Sequence, residues 1–274
     1  MTPFVLAHAG HWVEGIAFGS PVVAVPAILT VLVARERRRE RRQGHRAERQ
    51  ASGRMRRMPT TPRLWTFKQS PFAGKVRAAF AEKGVEVELA EIHPVKRAAR
   101  FLALSAPGRV PVLELGDGQP AIRESAIICE WLEETHPEPP LWPADSAQRG
   151  WARGWAKWVD DFLVANFFLG MRKLALGTSE NDPDDVVERL HRQLAKHWPA
   201  LEAALGEHPG PWLCGAQLTY ADLSGLPLAV RLPEWGPHLV PAAEDYPRIT
   251  VWLEALRERP SAATIDQGAE RILD

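Results

Sequence analysis

The 274 residues carry 34 basic and 34 acidic side chains, a formal net charge of zero, with 45% hydrophobic and 25% charged residues. That is an ordinary globular composition, long enough for one large or two ordinary domains with ample core. Two lone cysteines, Cys129 and Cys214, exclude a disulfide framework and a cysteine metal spacing; both sit in apolar surroundings and read as core residues of a cytoplasmic domain.

The zero charge hides an asymmetry. Between Arg35 and Met58 there are 11 Arg against three Glu, which leaves 23 basic against 31 acidic residues elsewhere. Just before this tract, Gly15 to Ala34 gives 20 residues without a charge, rich in Val, Ile, Ala and Leu. Twenty residues at about 1.5 Å each cross a bilayer, and Pro21 and Pro26 are tolerated there. No basic region precedes the run and no small-residue cleavage pattern follows it, so a cleaved signal peptide fits poorly. The Arg tract reads as a stop-transfer signal, placing Met1 outside, the bulk of the chain in the cytoplasm, and the arginines on the anionic inner leaflet. The expectation is a membrane anchor over residues 1–34 and an Arg-rich juxtamembrane linker over 35–61. Three other readings stay open. The run could be a buried soluble helix, the Arg tract could bind nucleic acid, or Met55 or Met58 could be the true start of a cytoplasmic protein. The tract lacks interleaved aromatics, so no nucleic-acid partner is expected. His8 and His11 lack further ligands, so no metal is expected either.

The region 62–143 alternates strands and helices. Leu64 to Phe67 is β-prone. Ser70 then sits where an N-cap belongs, with Pro71 at the first helical position; Val76, Ala79 and Phe80 recur at helical spacing, and Gly84 stops the helix. A hydroxyl held among free N–H groups at the positive end of a helix can hold an anion, a thiolate included. The plain alternative is that Ser70 only caps. Val85 to Ile92 alternates apolar residues with Glu, the pattern of a strand with one polar face. A basic helical stretch, Val95 to Leu104, precedes a strand from Arg109 to Leu115. Pro111 near its start belongs at a strand entrance or edge, and is a candidate cis peptide. Gly116 to Gln119 makes a hairpin turn into Pro120 to Arg123. Glu124 and Ser125 then open a helix running to about Thr135. The order is β-α-β-α-β-β-α.

Four prolines between His136 and Pro143 mark a domain boundary. Beyond it, residues 144–274 read as helices only. Trp151, Trp155, Trp158 and Phe162 form a stripe at helical spacing, which on periodicity alone is core packing. Phe167, Phe168, Met171 and Arg172 lie further down the same helix. Asn181 to Asp185 is a polar break, with Pro183 near the next helix start. Thr219 and Asp222 have the spacing of a capping box, with Asp standing for Glu, and that assigns them to folding rather than chemistry. Pro227 is expected to kink the helix they open.

This order resembles the cytosolic-type glutathione S-transferase family over about residues 62–260. So do the Ser70-Pro-Phe-Ala-Gly-Lys-Val-Arg77 turn, the Gly108-Arg-Val-Pro-Val-Leu113 strand, the Glu124-Ser-Ala-Ile-Ile128 helix start and the Trp212 to Asp222 signature. The resemblance implies an α/β thioredoxin-like domain over 62–143 followed by an all-α domain over 144–274. It also implies glutathione as co-substrate, with no further cofactor and no metal. Ser70 takes the place of the serine that donates to the thiolate in serine-type classes. Lowering a thiol pKa from about 8.5 needs such a donor plus the helix end. Val110, before Pro111, would pair its backbone with the cysteinyl residue of glutathione. Glu124 and Ser125 would take the γ-glutamyl ammonium and carboxylate, and Lys96, with Arg97 and Arg100 nearby, the glycyl carboxylate. Phe72, Trp151 and Trp155 would line the pocket for a hydrophobic electrophile, and the protein would be a homodimer. The chain departs from the redox relatives of this fold. Ser70 replaces their cysteine and Ala73 stands three residues on, so disulfide exchange is disfavoured. No tyrosine lies between Leu64 and Phe67, against the tyrosine-type classes. The rival functions are a non-catalytic binding or regulatory module of the same fold and a thiol-dependent peroxidase or dehalogenase. The plain readings of the other residues are strand entrance for Pro111, helix cap for Ser125 and solvated basic face for Lys96.

Overall fold

The computed structural model describes residues 61–93, 96–116, 118–175, 183–236 and 239–268, all within a compact unit spanning Met58–Asp274. The apolar run from Gly15 to Ala34 and the Arg tract lie outside the described residues. Among those described, no helix is long and apolar enough to cross a membrane.

Strands β1 (Arg63–Thr66), β2 (Glu88–Glu91), β3 (Val112–Glu114) and β4 (Ile122–Arg123) form one sheet in the order β2-β1-β3-β4. β2 runs parallel to β1, with Thr66 opposite Glu91. β3 runs antiparallel to β1, with Trp65 opposite Val112, and β4 antiparallel to β3, with Val112 opposite Arg123. Adjacent residues of a strand point to opposite faces. Leu64 and Leu113 therefore enter the main core, while Trp65 and Val112 enter a smaller one with Ala90, Ile92 and Phe101. Helices α1 (Pro71–Glu82) and α3 (Ser125–Thr135) supply buried residues to the main core. α2 (Ala99–Leu104) covers the other face through Phe101, whose ring centroid lies 5.6 Å from that of Trp65.

The strands are shorter than their apolar patterns, each for a local reason. β2 begins at Glu88 rather than Val85, because Val85 belongs to the end of α1. Gly84 turns left-handed (φ +64°), Gly84 N–H returns to the Ala81 carbonyl and Val85 N–H to that of Phe80. Both bonds of a Schellman cap are present, so the Val85 amide is spent on the helix. β3 begins at Val112 rather than Arg109, since Pro111 has no N–H to give a ladder. α2 begins at Ala99, and Val95, the expected start, lies outside the described residues.

The remainder is helical: α4 (Ser146–Trp158), a π-helical turn (Val159–Val164), α5 (Ala165–Ala175), α6 (Pro183–Ala195), α7 (Trp198–Ala204), α8 (Tyr220–Trp235), α9 (Pro247–Arg257) and a final 3₁₀ turn (Pro260–Thr264). Asp145 caps α4 by accepting from Ala147 and Gln148 N–H, which ends the proline-rich connection. That connection is tied to α3, whose Glu133 carboxylate accepts from the Leu141 amide at 3.2 Å. The capping box at α8 is complete. Thr219 Oγ1 accepts from Ala221 N–H, and Asp222 accepts from Thr219 N–H at 2.9 Å. Asp222 also accepts from Leu213 N–H at 2.8 Å and Trp252 Nε1 at 3.0 Å, so one buried carboxylate joins the loop before α8, α8 itself and α9. Gly225 lets the Trp252 indole approach: a Cβ there would stand 2.0 Å from the ring. Pro227 and Pro233 both lie inside α8.

The two domains share a core and a set of buried polar contacts. Lys75, on α1, is 2% exposed and pairs with Asp160 in the π-helical turn, with Ser224 Oγ of α8 at 3.3 Å. Glu82, also on α1, accepts from Arg259 Nε at 3.0 Å and Ser261 Oγ at 2.6 Å.

Candidate active site

The register of the sheet gathers the site. β1 and β3 run antiparallel, so the Phe67–Ser70 loop after β1 and the Val110–Pro111 peptide before β3 lie at one end of the sheet. β4 runs antiparallel to β3, so Glu124 and Ser125, which follow it, lie at the same end of the sheet. The loop ending at Ser70, the Val110–Pro111 peptide and the start of α3 thus converge on one edge of the sheet. β2, parallel to β1, ends at the same edge and leads toward Lys96.

Ser70 is the N-cap of α1, in extended conformation (φ −72°, ψ 118°), and Pro71 follows at the first helical position. Its Oγ accepts from Ala73 N–H at 3.3 Å, and its own amide donates to the Phe67 carbonyl at 2.9 Å. Accepting one amide leaves the hydroxyl proton available to donate, so the capping role and an anion-holding role coexist on one atom. The side chain is almost fully buried, 4% exposed, where a hydrogen bond to an anion is worth more than in water.

The Val110–Pro111 peptide is cis, as the strand pattern anticipates. Val110 is half-buried and lies two residues before β3, outside the register of either neighbouring strand.

Among the described residues Glu124 alone, glycines aside, has a positive φ (+69°), an unfavourable region for a side-chain-bearing residue. It stands as N-cap of α3 without a side-chain cap bond, and its carboxylate is exposed. Ser125, the first residue of α3, is 7% exposed and stands in the turn whose N–H groups have no partner within the helix. A carboxylate, a hydroxyl and a helix N-terminus together suit a ligand end carrying both an ammonium and a carboxylate.

Lys96 is exposed, and its amide donates to His93 Nδ1 at 2.9 Å. Arg100 is engaged elsewhere, bonded to Glu114 at 2.6 Å and set over the Trp65 ring at 5.9 Å, which removes it from the cluster expected with Lys96. Phe72 is half-buried and meets Phe168 of α5 edge-on, ring centroids 6.4 Å apart.

Trp151 and Trp155 are not part of this group. They stack on each other with centroids 5.8 Å apart, and Trp151 meets His208 at 5.1 Å. The helical run continues through the π-helical turn into α5. At 1.5 Å per residue, Trp151 and Trp155 stand about 25 and 20 Å along it from Phe168. The aromatic stripe carries on through Trp158 and Phe162, both against His197. Phe168 is the aromatic residue of this run that faces Phe72. Two surface recesses of about 590 and 460 Å³ lie on the helical domain, around His208–Arg248 and around Trp198–Tyr246, and neither touches a residue of the sheet edge.

Burial pushes the Cys129 thiol up to about 12 and the Cys214 thiol up to about 11, so neither is a nucleophile at neutral pH. Any reactive thiolate at this edge therefore comes with the ligand. No group of His, Cys, Asp and Glu able to hold a metal exists among the described residues.

Fold and site together define a two-domain protein whose thioredoxin-like half gathers a helix-capping hydroxyl, a cis-proline strand and a helix N-terminus at one end of its sheet. The family model for the glutathione S-transferase N-terminal domain matches residues 64–140, and that for the C-terminal domain matches residues 184–255. Maleylacetoacetate isomerase from Pseudomonas aeruginosa is 35% identical over 192 residues, covering 68% of this chain and 87% of that protein. Probable maleylacetoacetate isomerase from Caenorhabditis elegans is 30% identical over 207 residues, 73% and 90% of the two chains. The crystal structure of a glutathione S-transferase from Rhodospirillum rubrum is similar with a TM-score of 0.64 and 28% identity, over 77% of this chain and 95% of that one. The chain belongs to the glutathione S-transferase family and is a glutathione transferase-like enzyme.

Proposed function

We propose that the protein is a glutathione transferase of the serine type, in which Ser70 holds the thiolate of glutathione for attack on an electrophilic carbon. The convergence of Ser70, Val110–Pro111 and Glu124–Ser125 on one sheet edge carries the reading. Glu124 and Ser125 take the γ-glutamyl end, the Val110 backbone pairs with the cysteinyl residue, and Lys96 meets the glycyl carboxylate. The sulfur then lies at the N-terminus of α1, where the Ser70 hydroxyl and the helix end stabilise the anion without a base. The electrophile packs against Phe72 and Phe168. Val110, Pro111 and Ser125 bind; Ser70 is catalytic.

The maleylacetoacetate isomerases among the relatives support a particular electrophile, an alkene conjugated to a carbonyl. Thiolate addition to such a bond leaves a single bond free to rotate, and elimination returns the thiolate and the isomerised alkene. Two further features go with this proposal. The apolar run at 15–34 and the Arg tract support tethering to the cytoplasmic membrane with the catalytic domain in the cytoplasm. The second is a homodimer, the assembly that the family resemblance implies.

The test is ultraviolet absorbance of bound glutathione against pH, with turnover measured beside it. Ser70→Ala should raise the bound thiol pKa and lower kcat by roughly 10²-fold, the cost of one donor aimed at an anion. Equal titration curves for the two proteins would reduce Ser70 to a cap. Glutathione consumption tells the electrophiles apart: conjugation uses it mole for mole, whereas isomerisation regenerates it.

A further inference from the structure

Two buried arginines converge on the backbone that delivers Ser70. Arg231, on α8, is 7% exposed, and Arg77, on α1, is 2% exposed. Arg231 Nη1 donates to the Gln69 carbonyl at 3.0 Å and Nη2 to the Lys68 carbonyl at 2.9 Å. Nη2 also reaches the Ile265 carbonyl at 3.2 Å and Asp266 Oδ1 at 2.9 Å. Arg77 reaches the same loop from the other side. It donates to the Lys68 carbonyl at 3.2 Å, to the Thr264 and Ile265 carbonyls at 2.8 and 2.6 Å, and to Thr66 Oγ1 on β1. Below them Glu91 Oε1 accepts from Lys68 N–H at 2.6 Å. The two carbonyls immediately before Ser70 are thus held by guanidinium groups from both domains, and the segment Thr264–Asp266 is drawn into the same cluster.

We propose that Arg231, with Arg77, is a positioning residue for the Ser70 hydroxyl: it fixes the Lys68 and Gln69 peptide planes, and so couples the helical domain and the segment Thr264–Asp266 to the thiolate. This rests on the assignment of Ser70 made above. The chemistry of guanidinium makes it specific. Its planar fork can hold two successive carbonyls and a carboxylate in fixed directions, which a lysine ammonium on a flexible stem cannot. A hydroxyl donor is useful only while it points at the anion, and a displacement of about 1 Å can cost on the order of 10²-fold in rate. The charged groups around Arg231 are Arg77, Glu91 and Asp266 from the elements packed against it, and Arg231→Lys leaves their formal balance unchanged.

The experiment compares wild type, Arg231→Lys, Ser70→Ala and the double variant in the full chain, reading the bound glutathione thiol pKa, kcat and KM. Arg231→Lys should raise the thiol pKa by about one unit, lower kcat about tenfold and change the KM for glutathione less than about threefold, because the residues that bind the tripeptide are untouched. In the Ser70→Ala background the same change should have no further effect, the signature of a residue acting through Ser70. An unaltered thiol pKa in Arg231→Lys, or an effect that persists undiminished without the Ser70 hydroxyl, overturns the proposal. A silent Ser70→Ala would instead overturn the Ser70 assignment itself. Should Arg231→Lys not fold, Asp266→Ala, at an exposed carboxylate, serves with amide exchange as the readout. The Ser70 amide, bonded to Phe67, should exchange faster than in wild type, and equal exchange rates overturn the proposal.

Discussion

Ser70 and Ser125 are both hydroxyls at helix starts, and the structure separates what each can do. Ser70 is the N-cap, its oxygen turned onto the Ala73 amide. Ser125 is already the first residue of α3, preceded by the left-handed Glu124. In the proposed binding mode the first meets the reacting sulfur and the second the far end of the ligand. Ser125→Ala should therefore weaken glutathione binding by about 1–3 kcal/mol through an unmet hydrogen bond while sparing the bound thiol pKa. Isothermal titration beside ultraviolet titration checks this, and a raised pKa would mean the two serines share one role. Glu124 is a candidate ligand residue from its place before Ser125; its strained backbone is not legible there, because nothing in the residue type calls for a positive φ.

At the level of elements, periodicity located helices well and assigned their faces less well. The stripe Trp151, Trp155, Trp158 and Phe162 does share a face, but helical spacing does not say which neighbour that face meets. It meets His197 and His208, while the residue facing Phe72 is Phe168, further on. The capping box at α8 shows the opposite case, a local signature that held. Its spacing alone gives a cap of about 0.5–2 kcal/mol. The structure adds two buried donors, Leu213 N–H and Trp252 Nε1, that lose their acceptor with it. Asp222→Ala should thus destabilise the fold by about 2–4 kcal/mol, with little change in ligand affinity per folded molecule. Denaturant unfolding with binding measured below the transition tests both halves, and an unchanged midpoint would contradict the network.

For the molecule as a whole, one prediction concerns the apolar run before the enzyme. If Gly15 to Ala34 anchors the protein, the full chain stays in the membrane pellet through a carbonate wash, and the chain beginning at Met58 is soluble. Release of the full chain by salt alone would leave only the Arg tract as a surface contact. The sequence by itself determined the order of strands and helices, the Ser70 and Asp222 caps and the cis-proline strand. Each of these is written in residues within one turn or one loop of each other, where backbone chemistry acts. Tertiary structure alone decided three things. It set the convergence of Ser70, Val110 and Ser125, which depends on strand register. It brought Phe168 to Phe72. And it closed Arg231 on carbonyls 162 and 163 residues away. Contacts at that separation follow from how layers stack and which buried carbonyls remain to be met, and no local pattern in the sequence encodes them.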